Sequence, residues 1–130
     1  VPYNIQVKSV NQGSEAYIAA RFTVYSSSFL RIMTFEEFQQ SISLSAPPKG
    51  LSPILEALWH DANGDWEAAH NIAQSKEGTQ TYDRLHAYLH RVEGDTFNAG
   101  YWYRRAGSEV FKGSLKEEWA YLTHIFIQKA

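Results

Sequence analysis

Cysteine is absent from the 130-residue chain. Disulfides, thiolate chemistry and cysteine-ligated zinc sites are therefore excluded, and an intracellular home is allowed. Excess positive charge is also missing: 12 basic residues face 14 acidic ones, for a net charge of −2 and a pI near 6.2. A general nucleic-acid binder needs a basic surface, so no nucleic-acid partner is expected. No apolar run approaches the roughly 20 residues that span a bilayer, and no charged-then-apolar leader opens the chain. A cytoplasmic protein without a membrane partner is expected. Nothing resembles a P-loop, a dinucleotide glycine motif, a nucleophile elbow or HExxH, and no serine is marked out as a nucleophile. Methionine occurs once, at Met33, and the chain begins at Val1, which reads as a trimmed, processed or incomplete product.

What is present fits one globular domain. Apolar residues make up 44% and charged residues 20%, and a chain of this length buries about two-thirds of its unfolded surface. Residues 1–32 differ from the rest. "YNIQVKSV" (3–10) and "AYIAARFTVY" (16–25) are rich in β-branched and aromatic residues and flank the turn cluster "NQGSE", the pattern of a β-hairpin. This part carries three basic residues and one acid, against nine and thirteen in 33–130. The change of type and charge marks a seam, so 1–32 is either a hairpin packed on helices or an appended segment upstream of Met33.

From Met33 the grammar is helical. Thr34 and Glu37 form a capping box that starts a helix at Phe35. Three of the four prolines lie in "SAPPKGLSP" (45–53), a linker, where Ser52 caps and Pro53 takes the first helical position. The next helix runs to about Ala62, with Ile54, Leu55, Leu58 and Ala62 on one face. Gly64 ends it by taking positive φ, and Asp65 caps "WEAAHNIAQ". After the loop "SKEGTQT", a helix from about Tyr82 to Glu93 has Tyr82, Leu85, Leu89 and Val92 on one face. Gly94 and Asp95 repeat the stop and start, "TFNAGYWYRRA" ends at Gly107, and "LKEEWAYLTHIFIQ" is a last helix.

Residues 55–73 laid over 85–103 match at six of nineteen positions: Leu55/Leu85, Ala57/Ala87, His60/His90, Gly64/Gly94, Asp65/Asp95 and Ala69/Ala99. About one match is expected from average residue usage. The pattern describes a helical hairpin used twice, at about 52–76 and 82–107. Gly-Asp makes the turn and the alanines permit close approach of the two helices. Ala87, Gly94-Asp95, Ala99, Tyr103 and Ala106, with Ala57, Gly64 and Ala69, resemble the tetratricopeptide and Sel1-like helical repeats. The string from "LWHDANGDWEAAH" to "YWYRRAG" also resembles a group of small uncharacterised bacterial proteins, over roughly residues 33–107. That resemblance implies a bacterial cytoplasmic setting and no particular activity. The expected fold is mainly α: two consecutive helical hairpins and flanking helices over 33–130, preceded by the β-hairpin.

Two constellations carry candidate chemistry. Glu56 and His60 are one helical turn apart, as are His86 and His90, at equivalent places in the two repeats. If the two first helices lie side by side, these four converge as ligands for a divalent zinc, iron or manganese ion, with Asp83 orienting an imidazole. The plainer reading makes His60 and His90 helix-end residues donating to free carbonyls. His70, beside Trp66, reads as a hydrogen-bonded surface residue, and His124 as a semi-buried one. Trp59 and Trp66 read as packing residues flanking the first turn. In "YWYRRAG", Ala99, Trp102, Tyr103 and Ala106 point one way, and Phe97, Tyr101 and Arg104 the other, with Arg105 at the edge. Tyr101, Trp102, Arg104 and Arg105 are residue types that anchor interfaces; the alternative packs Phe97 and Tyr101 under another element. Two main expectations follow: a protein-interaction or scaffold module binding a protein or peptide, or a metal-binding protein or metal-dependent hydrolase. A third is a homo-oligomer that uses the second aromatic face.

Overall fold

Thr34 opens the first helix of the computed structural model, which describes residues 33–129. Its hydroxyl accepts from the Glu37 N–H at 3.0 Å, and the Glu37 carboxylate accepts from the Thr34 N–H at 2.9 Å. Helix α1 follows over Phe35–Ser41. Helix α2 (Pro53–Ala62) starts at Ser52, whose hydroxyl takes the Leu55 N–H. Helix α3 (Trp66–Gln74) is capped by Asp65, α4 (Gln80–Val92) follows Thr79, and α5 (Thr96–Arg105) is capped by Asp95. Helix α6 (Leu115–Lys129) opens with a reciprocal pair between Ser114 and Glu117. Every regular element among the described residues is α-helical, so the mainly helical class stands; the expected β-hairpin over 1–32 lies outside them.

The turns between α2 and α3 and between α4 and α5 share one backbone design. Gly64 and Gly94 sit at φ +83° and +87°, a region closed to most side chains. Each passes its N–H back to Asp61 or Arg91, and the following aspartate N–H returns to the carbonyl of His60 or His90. This double bond pattern closes a helix and satisfies its last carbonyls. The same aspartate side chain then caps the next helix, at 3.1 Å to the Ala68 N–H and 3.0 Å to the Asn98 N–H.

Packing follows chain order: α2 lies on α3, α3 on α4 and α4 on α5. Helix α6 returns across α2 and α4, and α1 rests on α6. Ala57, Ala69, Ala73, Ala87 and Ala99 are all buried, which lets these backbones come close. The main core joins Phe38, Leu55, Leu58, Trp59, Leu85, Leu89, Trp119, Leu122 and Phe126; a side chain as fully buried as Leu58 or Leu85 contributes about 2 kcal/mol. Trp59 and Trp119 donate their indole N–H groups to the Ser41 and Leu58 carbonyls, both at 2.9 Å. One charged cluster lies within the packing. Glu118, fully buried, takes hydrogen bonds from Arg91 and the Tyr103 hydroxyl, each at 2.5 Å. Arg84 stands 2.7 Å away as an ion pair set off the hydrogen-bonding line. Burial, reinforced by that carboxylate, pushes the Tyr103 phenol up to about 12. The cluster ties α4 and α5 to α6.

Candidate metal centre

The seam between the two hairpins gathers three imidazoles. Asp65 starts α3 so that Trp66 and His70, four residues apart, share one face. His86 and His90 hold the same relation on α4, and their rings stack 4.9 Å apart. With α3 against α4, His70 Nε2 lies 2.9 Å from His86 Nε2. One ligand atom each from His70, His86 and His90 falls within 4.8 Å of the others, among the described residues.

Aromatic rings enclose the cluster. Trp66 stacks on His70 at 4.5 Å and meets His90 edge-on at 6.2 Å. Its indole N–H crosses the seam to the Leu89 carbonyl at 2.7 Å, locking the ring. The close approach of α5 to α4 at Ala87 and Ala99 lays Trp102 flat on His86 at 3.9 Å. His86 is 3% exposed, and its Nδ1 is buried with no hydrogen-bond partner. His90 Nδ1 is held by Glu93 Oε2 at 2.7 Å, which leaves Nε2 as its free ring nitrogen.

This environment favours the neutral form of His86 and His70. Burial, then repulsion from His70 and His90, lowers His86 to about 4. Burial and His90 likewise lower His70, with Glu93 and Glu77 acting in the opposite sense. Neutral imidazole is the form that ligates a metal, so little proton competition stands against an ion here. A carboxylate on the far nitrogen of a ligating histidine orients the ring and raises its basicity, which is the relation of Glu93 to His90.

The expected quartet is thus only half assembled. His86 and His90 come together, but Glu56 and His60 stay on α2 and pair with each other at 3.6 Å. The reason is the packing order: of the two helices of the first hairpin it is α3, not α2, that lies mainly against α4, so the second helix of that hairpin supplies the third ligand. His70, expected at the surface, is that ligand. The signal was the Trp66/His70 spacing, which builds an aromatic wall when a second helix faces it. The His60 and His90 carbonyls are taken by backbone N–H groups, which frees both imidazoles from the helix-end role. Asp83 does not orient an imidazole: 1% exposed, it accepts from the Gly78 N–H at 3.0 Å and shapes the loop before α4. His124 is exposed and stacks on Phe35 at 4.1 Å.

The second constellation divides by face. Trp102 is 9% exposed and turned to His86, so it leaves the expected set of exposed anchors. Tyr101, Arg104 and Arg105 are exposed, joined by Phe97 at 82% exposure. Arg105 donates to the Tyr101 hydroxyl at 3.1 Å and lies over the Trp102 ring at 5.4 Å. No helix among the described residues is long and apolar enough to cross a membrane. No family model, curated protein or solved structure matches the chain.

Proposed function

We propose that the protein binds one divalent transition-metal ion, with His70, His86 and His90 as ligands. The observation that carries this is the convergence of three ligand atoms within 4.8 Å from two different helices. Imidazole donors suit zinc, copper, nickel and iron. Manganese, part of the sequence expectation with the carboxylate of Glu56, loses support once Glu56 stays on α2. In this reading the hairpins act as scaffold: each Gly-Asp turn fixes a hairpin, and the ion joins one hairpin to the next. The equivalent turns also support treating the hairpins as tetratricopeptide-like units adapted to hold an ion. The test is elemental analysis and calorimetric titration with zinc chloride, on protein purified without a histidine tag or chelating resin. One equivalent per chain, lost in His70→Ala and in the His86→Ala/His90→Ala double variant, supports the reading. No uptake of zinc, copper, nickel, iron or manganese removes it.

The outer face of α5 supports a second reading, a protein-interaction module. Phe97 at 82% exposure and Tyr101 at 41% sit one turn apart beside two exposed arginines, a composition typical of binding anchors. An acidic peptide carrying an apolar residue fits that chemistry. Alanine at Phe97 and Arg104 together should abolish capture of such a partner; unchanged binding would discard these anchors.

A further inference from the structure

We infer that the histidine centre keeps one coordination position open, and that this position takes water or a small monoanion. The inference rests on the metal reading above and concerns what completes the coordination shell.

The supply of protein ligands is nearly exhausted by the three histidines. The chain has five histidines and no cysteine. His60 is engaged by Glu56 on α2, and His124 stacks on Phe35. Residues 1–32 contain neither histidine nor cysteine, and Glu15 is their single acid. Glu93 and Asp95 lie within ligand distance of His90 as a separate group, and neither joins the group of His70, His86 and His90. Glu93 holds His90 Nδ1, and Asp95 accepts from the Asn98 N–H and from Asn98 Nδ2 at 2.6 Å as the cap of α5. Asp83 serves the Gly78 N–H. Glu77 acts on His70 through its charge but supplies no atom to the ligand group. A zinc-type ion prefers four ligands; structural sites close the fourth from protein, and three-ligand sites leave it to an exchangeable molecule.

Charge and shape then select the occupant. Three neutral imidazoles leave the full +2 of the ion, and the surrounding carboxylates of Glu93, Asp95 and Glu77 offset it only from outside the ligand group. A water or a small monoanion at the open position is held by the ion's charge, beside the Trp66 and Trp102 rings. His86 is buried while His70 is partly exposed, so the approach is from the His70 side. Trp66 and Trp102 are stacked on His70 and His86, which confines the occupant to a few atoms.

Cobalt(II) makes this measurable, because its visible d–d bands report the number and exchange of ligands where zinc is silent. The full chain is loaded with cobalt chloride and titrated with sodium azide. The expected result is saturable uptake of one cobalt with bands that shift to a new spectrum as azide rises, with an isosbestic point. Cobalt bands that ignore azide mean that the fourth position is closed, which overturns the inference and leaves the metal reading standing. Failure to take up cobalt, together with none of zinc, copper, nickel, iron or manganese, removes the metal reading itself. His70→Ala, a change on the partly exposed side of the cluster, locates the signal: weakened or lost bands are expected, and unchanged bands place the cobalt elsewhere and overturn both.

Discussion

Asp61, on the last turn of α2, is 2% exposed and accepts a hydrogen bond from the Tyr88 hydroxyl at 2.6 Å. Burial raises its carboxyl from 3.8 to about 7. Between those values the folded chain holds a proton that the unfolded chain releases, so raising the pH favours unfolding. The contribution is fully present below pH 3.8 and is gone by about pH 7. A shift of about 3 units corresponds to about 4 kcal/mol, a large share of the roughly 5–15 kcal/mol that holds a domain folded. Asp61→Asn keeps an acceptor for Tyr88 and removes the titration. Relative to wild type, the variant should therefore gain about 4 kcal/mol of stability between pH 4 and pH 8. His86 acts in the opposite direction: its folded value of about 4 lies below the ordinary 6.5, so its contribution is present above pH 6.5 and lost as the pH falls toward 4. Since His86 is the same in both proteins, it cancels in the difference. The assay is urea unfolding at half-unit steps of pH without added metal, wild type against variant. Parallel profiles across pH 4–8 would refute the assignment of a buried, protonated Asp61.

Other outcomes follow from the same packing. Zinc at about 100 times its dissociation constant should stabilise the fold by about 2.7 kcal/mol, read as a rise in melting temperature that His70→Ala abolishes. Gly94→Ala meets no atom within 4 Å, so its cost is the strain at φ +87° alone, about 1–2 kcal/mol by denaturant titration. Glu118→Gln strands Arg84 and Arg91 beside a neutral amide and should cost about 3–5 kcal/mol, with a matching fall in the unfolding midpoint. Phe97→Ser, at an 82% exposed position, should change stability by less than about 0.5 kcal/mol; a larger loss would show that the ring is packed in solution.

The candidate site shows where sequence reasoning succeeds and where it stops. The pairing of His86 with His90 was legible because four residues make one helical turn whatever surrounds the helix. The partner of that pair was not. Equivalence between repeats suggested Glu56 and His60, since like positions in like helices invite superposition. Neighbours, however, are set by which apolar faces bury each other, and here α3 rather than α2 brings the first hairpin against α4. His70 aligns with Gly100 in the second copy, so no comparison of repeats would have raised it. Trp102 illustrates the same limit. Its face, shared with Ala99, Tyr103 and Ala106, followed from helical spacing, but its burial and its contact with His86 depend on how closely α5 approaches at Ala87 and Ala99.

Local chemistry by itself determined the helix ends: the Thr34/Glu37 box, Ser52 before Pro53, and the two Gly-Asp turns. Each is settled by hydrogen bonds and backbone angles within about six residues, so the information lies in the segment that uses it. It also determined that no thiol chemistry occurs and that three of five histidines lie on two neighbouring helices. Only the tertiary structure decided that those three meet, that Glu93 orients one of them, and that two indoles enclose them. Those facts depend on helix crossings set by the summed burial of many side chains, including the charged knot around Glu118 that ties α4 and α5 to α6.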